Sequence, residues 1–325
     1  MRSFYIDMNK VPTLAIVVPC YNEEAVFTNT ERQLRELLME MAQSGLISEE
    51  SKIIYVDDGS SDDTWNLIAE AYRRNPNTVA GIKLGHNVGH QNALIAGLET
   101  VEDHCDCAIT IDADLQDDIN VIPEMVRKYI EGNEVVFGVR ESRQTDTWFK
   151  RTSAHSFYKL MSRLGVETVY NHADFRLMSS RAIRELLRYK ERNLYLRGII
   201  KRVGLKNTIV KYDRKAREAG ESKYPLTKMI SFAVEGITSF SVKPVKMVFY
   251  LGIIFIIVAF FIFIYTMYRY LHHDVIEGWT SLMLSIWFCT GVILSALGIV
   301  GEYVGKIFIE VKERPRFVIE TQLGI

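Results

Sequence analysis

Four cysteines in 325 residues, at positions 20, 105, 107 and 289, give no paired framework and no CxxC metal knuckle, so they read as reduced thiols. Seven prolines and 20 glycines are too few for a linker-rich, collagenous or disordered chain. Charge of one sign is also lacking: 39 basic residues face 40 acidic ones, which leaves no electrostatic footprint of a nucleic-acid binder. The opening MRSFYIDMNK has neither an apolar run nor a small-residue cleavage site, so no secretory signal is read there and the N-terminus is expected in the cytosol. The usual phosphate loops are missing as well: there is no GxxxxGK[ST] and no GxGxxG after the first strand, and no HExxH suggests a zinc site.

What the chain does have is apolar length near its C-terminus. Residues 247–268 (MVFYLGIIFIIVAFFIFIYTMY) and 279–301 (WTSLMLSIWFCTGVILSALGIVG) are uncharged and each long enough to cross a hydrocarbon core about 30 Å thick as a helix. Two buried helices of a soluble domain are the alternative, but such helices rarely run this far without a charge. Lys243 and Lys246 precede the first run, Lys306, Lys312, Arg314 and Arg316 follow the second, and Arg269 is the only fixed positive charge in the connection 269–278. The positive-inside bias then places the connection outside and both termini in the cytosol. A transmembrane hairpin is expected over 245–301, with a cytosolic tail over 302–325. Upstream, Leu226, Met229, Ile230, Ala233, Ile237 and Phe240 recur at helical spacing, so 226–244 is expected to be an amphipathic helix, lying in the membrane interface or packed on the soluble domain.

Residues 1–225 alternate short apolar runs with helical patterns. Strands are expected at 13–18, 52–56, 79–84, 107–111 and 134–139, and helices at 24–43, 62–74, 89–101 and 119–131, which predicts an α/β domain with a mostly parallel sheet. In such sheets ligands bind beyond the carboxyl ends of the strands. The segments that follow the strands here are rich in carboxylates. Asp112 and Asp114, at i and i+2 of an extended segment, project to one side and suit a divalent cation that also holds a diphosphate. Asp57 and Asp58 end another strand, where a carboxylate can accept hydrogen bonds from a nucleobase N–H or ribose hydroxyls, and Gly59 permits a tight turn. Ser60 to Asp63 also reads as the cap of the next helix.

VVPCYNE (17–23), DDGSSD (57–62), NVGHQNA (87–93) and DADLQDD (112–118) resemble the successive motifs of glycosyltransferase family 2. HADFRLMS (172–179), GESKYPL (220–226) and GEYVGKIFIEVKERPRF (301–317), with the two apolar runs, resemble its polyprenyl-phosphate hexosyltransferases, over nearly the whole chain. The resemblance implies a Rossmann-like glycosyltransferase A-type domain followed by an interfacial helix and two transmembrane helices. It implies Pro19, Tyr21, Glu23, Asp57 and Asp58 at the nucleotide, with Gly59, Asn87, Gly89, Asp112 and Ala113 in the same donor site. Asp112, Asp114 and Gln116 would hold Mg2+ or Mn2+. Arg140 resembles the arginine that contacts the acceptor phosphate, and Asp174 occupies an acidic position considered catalytic, its other readings being a cap or an ion pair with Arg176. Asp174, Asp114 and Arg140 are therefore the expected catalytic set. Asp118 and Ile119 depart from the family by replacing prolines that open the next helix.

The expected substrates are a nucleoside diphosphate sugar and a polyprenyl phosphate. ADFRLMS is most similar to the glucosyl members, which favours UDP-glucose, with UDP-galactose, an amino sugar and GDP-mannose as the other donors. Two clustered phosphates call for cations, and Lys150, Arg151, Arg217 and Lys223 join Arg140 as candidates for the acceptor phosphate. A membrane scaffold that binds the nucleotide sugar without turnover is the reading from another class; a processive synthase is disfavoured because QxxRW is absent. The resemblance also implies a homo-oligomer, a tetramer, with RPRFVIE adding a strand to a neighbouring copy.

Overall fold

The computed structural model describes residues 11–140, 172–192, 196–213 and 278–325, with single positions between 245 and 268. The chain divides into two compact units: one holds the sheet and also takes in Arg314–Ile325, the other runs mainly over Tyr224–Glu313.

In the first unit, β1 (Leu14–Cys20), α1 (Glu24–Gln43), β2 (Lys52–Asp57), α2 (Thr64–Arg74), β3 (Val79–Leu84), α3 (His90–Val101) and β4 (Cys107–Thr110) alternate as expected. A 3-10 turn at Ile119–Val121 leads into α4 (Ile122–Ile130), then β5 (Val135–Arg140). Further on come β6 (His172–Ser179), α5 (Ser180–Leu187), α6 (Leu196–Arg202) and β7 (Asn207–Tyr212). The eight-stranded sheet has the order β7-β5-β6-β4-β1-β2-β3-β8, the last being Ile319–Leu323. β1 pairs parallel with β2 and β4, β2 with β3, and β5 with β7; β6 and β8 run antiparallel to their neighbours.

β1 is buried along its whole length and carries no polar side chain except its terminal cysteine, the pattern of a central strand covered on both faces. Phe27, Leu34, Leu38 and Met41 of α1 recur on one helical face and are buried on the sheet, each contributing about 1.5–3 kcal/mol of transfer free energy. α3 comes closest: a Cβ on Gly97 would lie 2.4 Å from Val17 Cγ1 and 2.9 Å from Val56 Cγ2, so only glycine lets this helix approach β1 and β2 so closely. That approach fixes the height at which the first turn of α3, with His90, meets the strand ends.

β8 corrects the expectation that RPRFVIE adds a strand to a neighbour. It pairs within its own chain, Gly81 opposite Leu323 and Lys83 opposite Thr321, and covers the β3 edge. Lys52 Nζ donates to Gly324 O at 2.7 Å, Lys83 pairs with Glu320 at 3.0 Å, and Arg316 Nη2 donates to the carbonyls of Tyr189 and Glu191.

In the second unit, α7 (Trp279–Val311) continues past Gly301, the expected end of the apolar run. Its stretch Phe288–Val311 is long and apolar enough to cross a membrane and is not buried in the protein. The described positions between 245 and 268 are helical, and those from Tyr250 to Tyr268, such as Ile254, Ile257, Phe260 and Ile264, expose large apolar side chains. The interfacial helix expected at 226–244 lies outside the described residues.

Candidate functional site

The carboxyl ends of β1, β2, β4, β5 and β7 share one edge of the sheet with the beginning of β6. Because β6 runs the opposite way, it delivers its N-terminal residues, Asp174 among them, to the edge where the parallel strands end.

Two loops interlock at one end of this edge. Asn22, in the left-handed region at φ 54°, accepts the Ser61 N–H at 2.8 Å and donates its own N–H to Ser60 Oγ at 3.0 Å. Glu23 N–H donates to Thr64 Oγ1 at 3.0 Å. Pro19 is buried within β1, whereas Tyr21 is 49% exposed beside this clasp. Gly59 has φ +67°, and a Cβ there would sit 2.6 Å from His86 C and Asn87 N, so the DDGS turn lies directly against the NVGH loop.

The adjacent aspartates are both buried yet have different partners. Asp58 Oδ1 accepts the Val88 N–H at 2.7 Å and Oδ2 the Gly89 N–H at 3.0 Å, fixing the loop that starts α3. Asp57 Oδ1 accepts the Ser60 N–H at 3.3 Å, while its buried Oδ2 has no hydrogen-bond partner among the described residues. Burial raises the carboxyl pKa of both. A buried acceptor without a donor is costly, and a ligand N–H or hydroxyl would remove that cost.

The DADLQDD loop follows β4. Ala113 is buried and its carbonyl accepts Thr30 Oγ1 at 2.6 Å; Leu115 sits at φ 43° and Gln116 N–H donates to Asp114 Oδ1 at 3.3 Å. Asp112 is half-exposed as a side chain, but its Oδ1 is enclosed and without a hydrogen-bond partner among the described residues. Burial pushes its pKa up to about 6, His90 opposing and Asp174, Asp117 and Asp114 adding to the shift. Among the described residues no group of three or more His, Cys, Asp or Glu side chains forms a protein-only metal cage. The loop nevertheless fits Mg2+ or Mn2+: these ions take oxygen ligands and are commonly held by one or two carboxylates together with substrate phosphates.

His90, at the start of α3, joins this loop to β6. Its Nε2 lies 3.5 Å from the enclosed Asp112 Oδ1 and 3.8 Å from Asp174 Oδ2. Asp174 is itself paired with the buried Arg176, and its carbonyl accepts the Thr110 hydroxyl. The expected alternative for Asp174, an ion pair with Arg176, is thus present, and its second oxygen still faces the histidine. Gln91 Oε1 accepts the Leu196 N–H at 2.8 Å, tying the same loop to the start of α6.

Arg140, at the end of β5, donates from Nε and Nη2 to Asp117 Oδ1 at 3.2 and 2.9 Å, and Tyr212 Oη donates to the same oxygen at 2.6 Å. Burial works against the guanidinium charge, but Asp117 outweighs it and raises the pKa. Burial and the same carboxylate raise the Tyr212 pKa. Lys150, Arg151, Arg217 and Lys223 lie outside the described residues.

Three side chains outside the expected site set therefore belong to the site: His90, Asp117 and Tyr212. His90 and Asp117 stand inside quoted motifs, and their position after a strand was the available signal. Tyr212 has none, because β7 is an exposed-buried alternation within a polar stretch.

A Rossmann-like sheet with acidic loops gathered at its strand ends defines an α/β glycosyltransferase domain. The chain belongs to glycosyl transferase family 2, whose model matches residues 15–187, and residues 243–307 match the GtrB C-terminal hairpin. It is 53% identical over 96% of its length to an uncharacterized glycosyltransferase, YkoT, of Bacillus subtilis (strain 168), covering 92% of that protein. It is 37% identical to a prophage bactoprenol glucosyl transferase homolog of Escherichia coli (strain K12), covering 94% of this chain and 98% of that one. The bactoprenol glucosyl transferase of Shigella phage SfV is also 37% identical, with 95% and 98% covered.

Proposed function

We propose that the protein transfers a hexose, glucose from UDP-glucose, to polyprenyl phosphate at the cytosolic face of the membrane, with inversion at the anomeric carbon. The relatives named bactoprenol glucosyl transferases support the acceptor class and the sugar. The topology of β8 supports the membrane arrangement. β8 follows α7 and yet pairs with β3 of the catalytic sheet, so a chain that leaves this side of a membrane must cross it an even number of times to return. With α7 as one span, the apolar run at 247–268 is the other, and both termini lie with the catalytic domain.

The acceptor needs no strong base. Its second phosphate pKa is about 6, so the attacking oxygen is already largely ionised at neutral pH. One lone pair of that oxygen forms the bond to the anomeric carbon; the bond from that carbon to the diphosphate oxygen breaks, and its electrons leave with UDP. No proton moves, and total charge is conserved. Attack opposite the leaving group gives inversion in a single displacement.

The chain's work is placement. Asp57 Oδ2, without a donor among the described residues, is the acceptor for a nucleobase N–H, and the exposed Tyr21 follows β1 on the same edge. Asp58 acts through the loop it holds. Asp112 and Asp114, with Gln116, would hold the Mg2+ or Mn2+ that neutralises the diphosphate. Asp174, fixed by Arg176 and facing His90, orients the sugar hydroxyls, and Arg140 faces the acceptor phosphate.

The enclosed carboxylate oxygens of Asp57 and Asp112 on one sheet edge, neither of which accepts a hydrogen bond among the described residues, carry this reading. Its test is UDP release by the purified protein with magnesium, polyprenyl phosphate and UDP-glucose. UDP should appear only with the phosphorylated lipid, not with the free polyprenol, and Asp114→Ala should abolish it while keeping the wild-type melting temperature. Equal release with both lipids, or full activity of the folded variant, contradicts the assignment.

A further inference from the structure

The cluster of Arg140, Asp117 and Tyr212 is assembled from three separate chain segments at one end of the site. Arg140 and Tyr212 are register partners on β5 and β7, both at strand ends. Asp117 comes from the loop after β4, which is two strands away from β5 in the sheet. Its side chain is 2% exposed, and one of its oxygens takes all three contacts, from Arg140 Nε, Arg140 Nη2 and Tyr212 Oη.

The geometry decides which part of the guanidinium remains available. Nε and Nη2 form the side edge of the planar group, and Asp117 occupies it. Nη1 has no partner among the described residues, and Nη2 has a second N–H, so the end of the fork is left to donate. That end matches two oxygens of a phosphate. The arginine side chain is 29% exposed, which keeps this end reachable. Tyr212 Oη also lies 3.3 Å from Arg140 Nε, and its ring packs edge-on against Phe175 at 5.5 Å. The tyrosine is therefore a braced support for both the carboxylate and the guanidinium.

A buried ion pair with no further task adds little to stability, because desolvation offsets most of the attraction. Orientation is what this arrangement supplies. We propose that Asp117 and Tyr212 are positioning residues that turn Arg140 end-on toward the phosphate of the lipid acceptor. The proposal rests on the reading of the protein as a polyprenyl-phosphate transferase, and it adds which residues aim the arginine.

A purely structural clamp makes a different prediction. Asp117 is in the same loop as Asp112, Asp114 and Gln116, so a clamp that merely fastened the loop would, when broken, weaken the donor side as well. Binding separates the two, and it is measured apart from turnover. The full-length protein in detergent is titrated with a short-chain polyprenyl monophosphate, the matching polyprenol, inorganic phosphate and UDP with magnesium. The variants are Asp117→Asn, which keeps the side-chain shape, and Tyr212→Phe, which keeps the ring and removes only the hydroxyl. A melting curve accompanies each.

For Asp117→Asn the expected result is about tenfold weaker binding of the polyprenyl monophosphate, with a smaller loss for Tyr212→Phe. UDP affinity and polyprenol affinity should stay within about twofold, since neither contact is touched. Should Asp117→Asn fail to fold, Tyr212→Phe carries the test alone. Parallel loss of UDP and lipid-phosphate affinity, unchanged lipid-phosphate affinity in the folded variants, or a wild type that binds inorganic phosphate as tightly as the lipid monophosphate overturns the proposal. Failure of the transferase reading shows separately, as absence of hexosyl-lipid product from a wild type that still binds the lipid monophosphate.

Discussion

His90 Nε2 stands 3.5 Å from the enclosed Oδ1 of Asp112, and the same nitrogen is 3.8 Å from Asp174 Oδ2. One side chain at the start of α3 thereby bridges a carboxylate of the DADLQDD loop and one from the start of β6. The two acids otherwise repel each other, and the histidine lets them occupy one corner of the site.

His90→Ala removes that bridge. Activity should fall about ten- to a hundredfold through kcat, because both carboxylates lose a polar neighbour and their placement relative to the sugar. His90→Gln, which keeps one N–H donor, should recover part of the loss. Single-turnover kinetics with saturating donor checks both; equal losses in the two variants would mean that an N–H at this position is not what matters.

Asp57 links stability to function. Burial raises its folded-state pKa above the unfolded value, so the folded protein binds the proton more tightly. The ligand-free protein should therefore lose stability as pH rises from the ordinary carboxylate range through the raised value. Asp57→Asn should flatten this slope and raise the melting temperature at neutral pH, while weakening UDP binding by about tenfold. Melting curves across that pH range, with and without UDP, read both effects.

Gly59 tests the contact between the DDGS turn and the NVGH loop. At φ +67°, with backbone atoms of His86 and Asn87 2.6 Å from any Cβ, Gly59→Ala must move one loop off the other. A stability loss of about 1–3 kcal/mol is expected, together with weaker nucleotide binding. Gly45→Ala has φ +70° but open space around it and serves as the control; it should cost less and leave UDP affinity unchanged.

β8 should hold the β3 edge. Deleting 318–325 removes its ladder, the Lys52–Gly324 contact and the Lys83–Glu320 pair. The melting temperature should drop by roughly 2–4 °C for each kcal/mol lost, and the bared edge should promote aggregation. Thermal unfolding with light scattering reports both.

The sequence made the parallel half of the sheet legible because β1 to β4 are continuous apolar runs separated by amphipathic helices. α1 and β3 match their expected limits, and most other boundaries differ by one or two residues. β6 is legible only as a motif. In HADFRLMS a charged residue sits at a core position, and the apolar-run criterion passes over it; Arg176 is tolerated there because Asp174, two residues earlier, pairs with it. The sequence does not reveal the partner of β8, because β3 is more than 200 residues away and no local pattern encodes such a pairing. At the site, the residue types were readable and their division of labour was not. Asp57 and Asp58 look equivalent as neighbours in a motif, yet the backbone N–H groups of Val88 and Gly89 occupy Asp58 and leave Asp57 Oδ2 open.

The central claim, hexose transfer from a nucleotide sugar to a polyprenyl phosphate, is tested most directly by mass spectrometry of the lipid. Purified protein with magnesium and undecaprenyl phosphate is incubated separately with UDP-glucose, UDP-galactose, UDP-N-acetylglucosamine and GDP-mannose. The account predicts a lipid gaining one hexose with UDP-glucose, and no comparable product from the other three. No sugar-bearing lipid with any donor, from protein that still binds UDP, would contradict it.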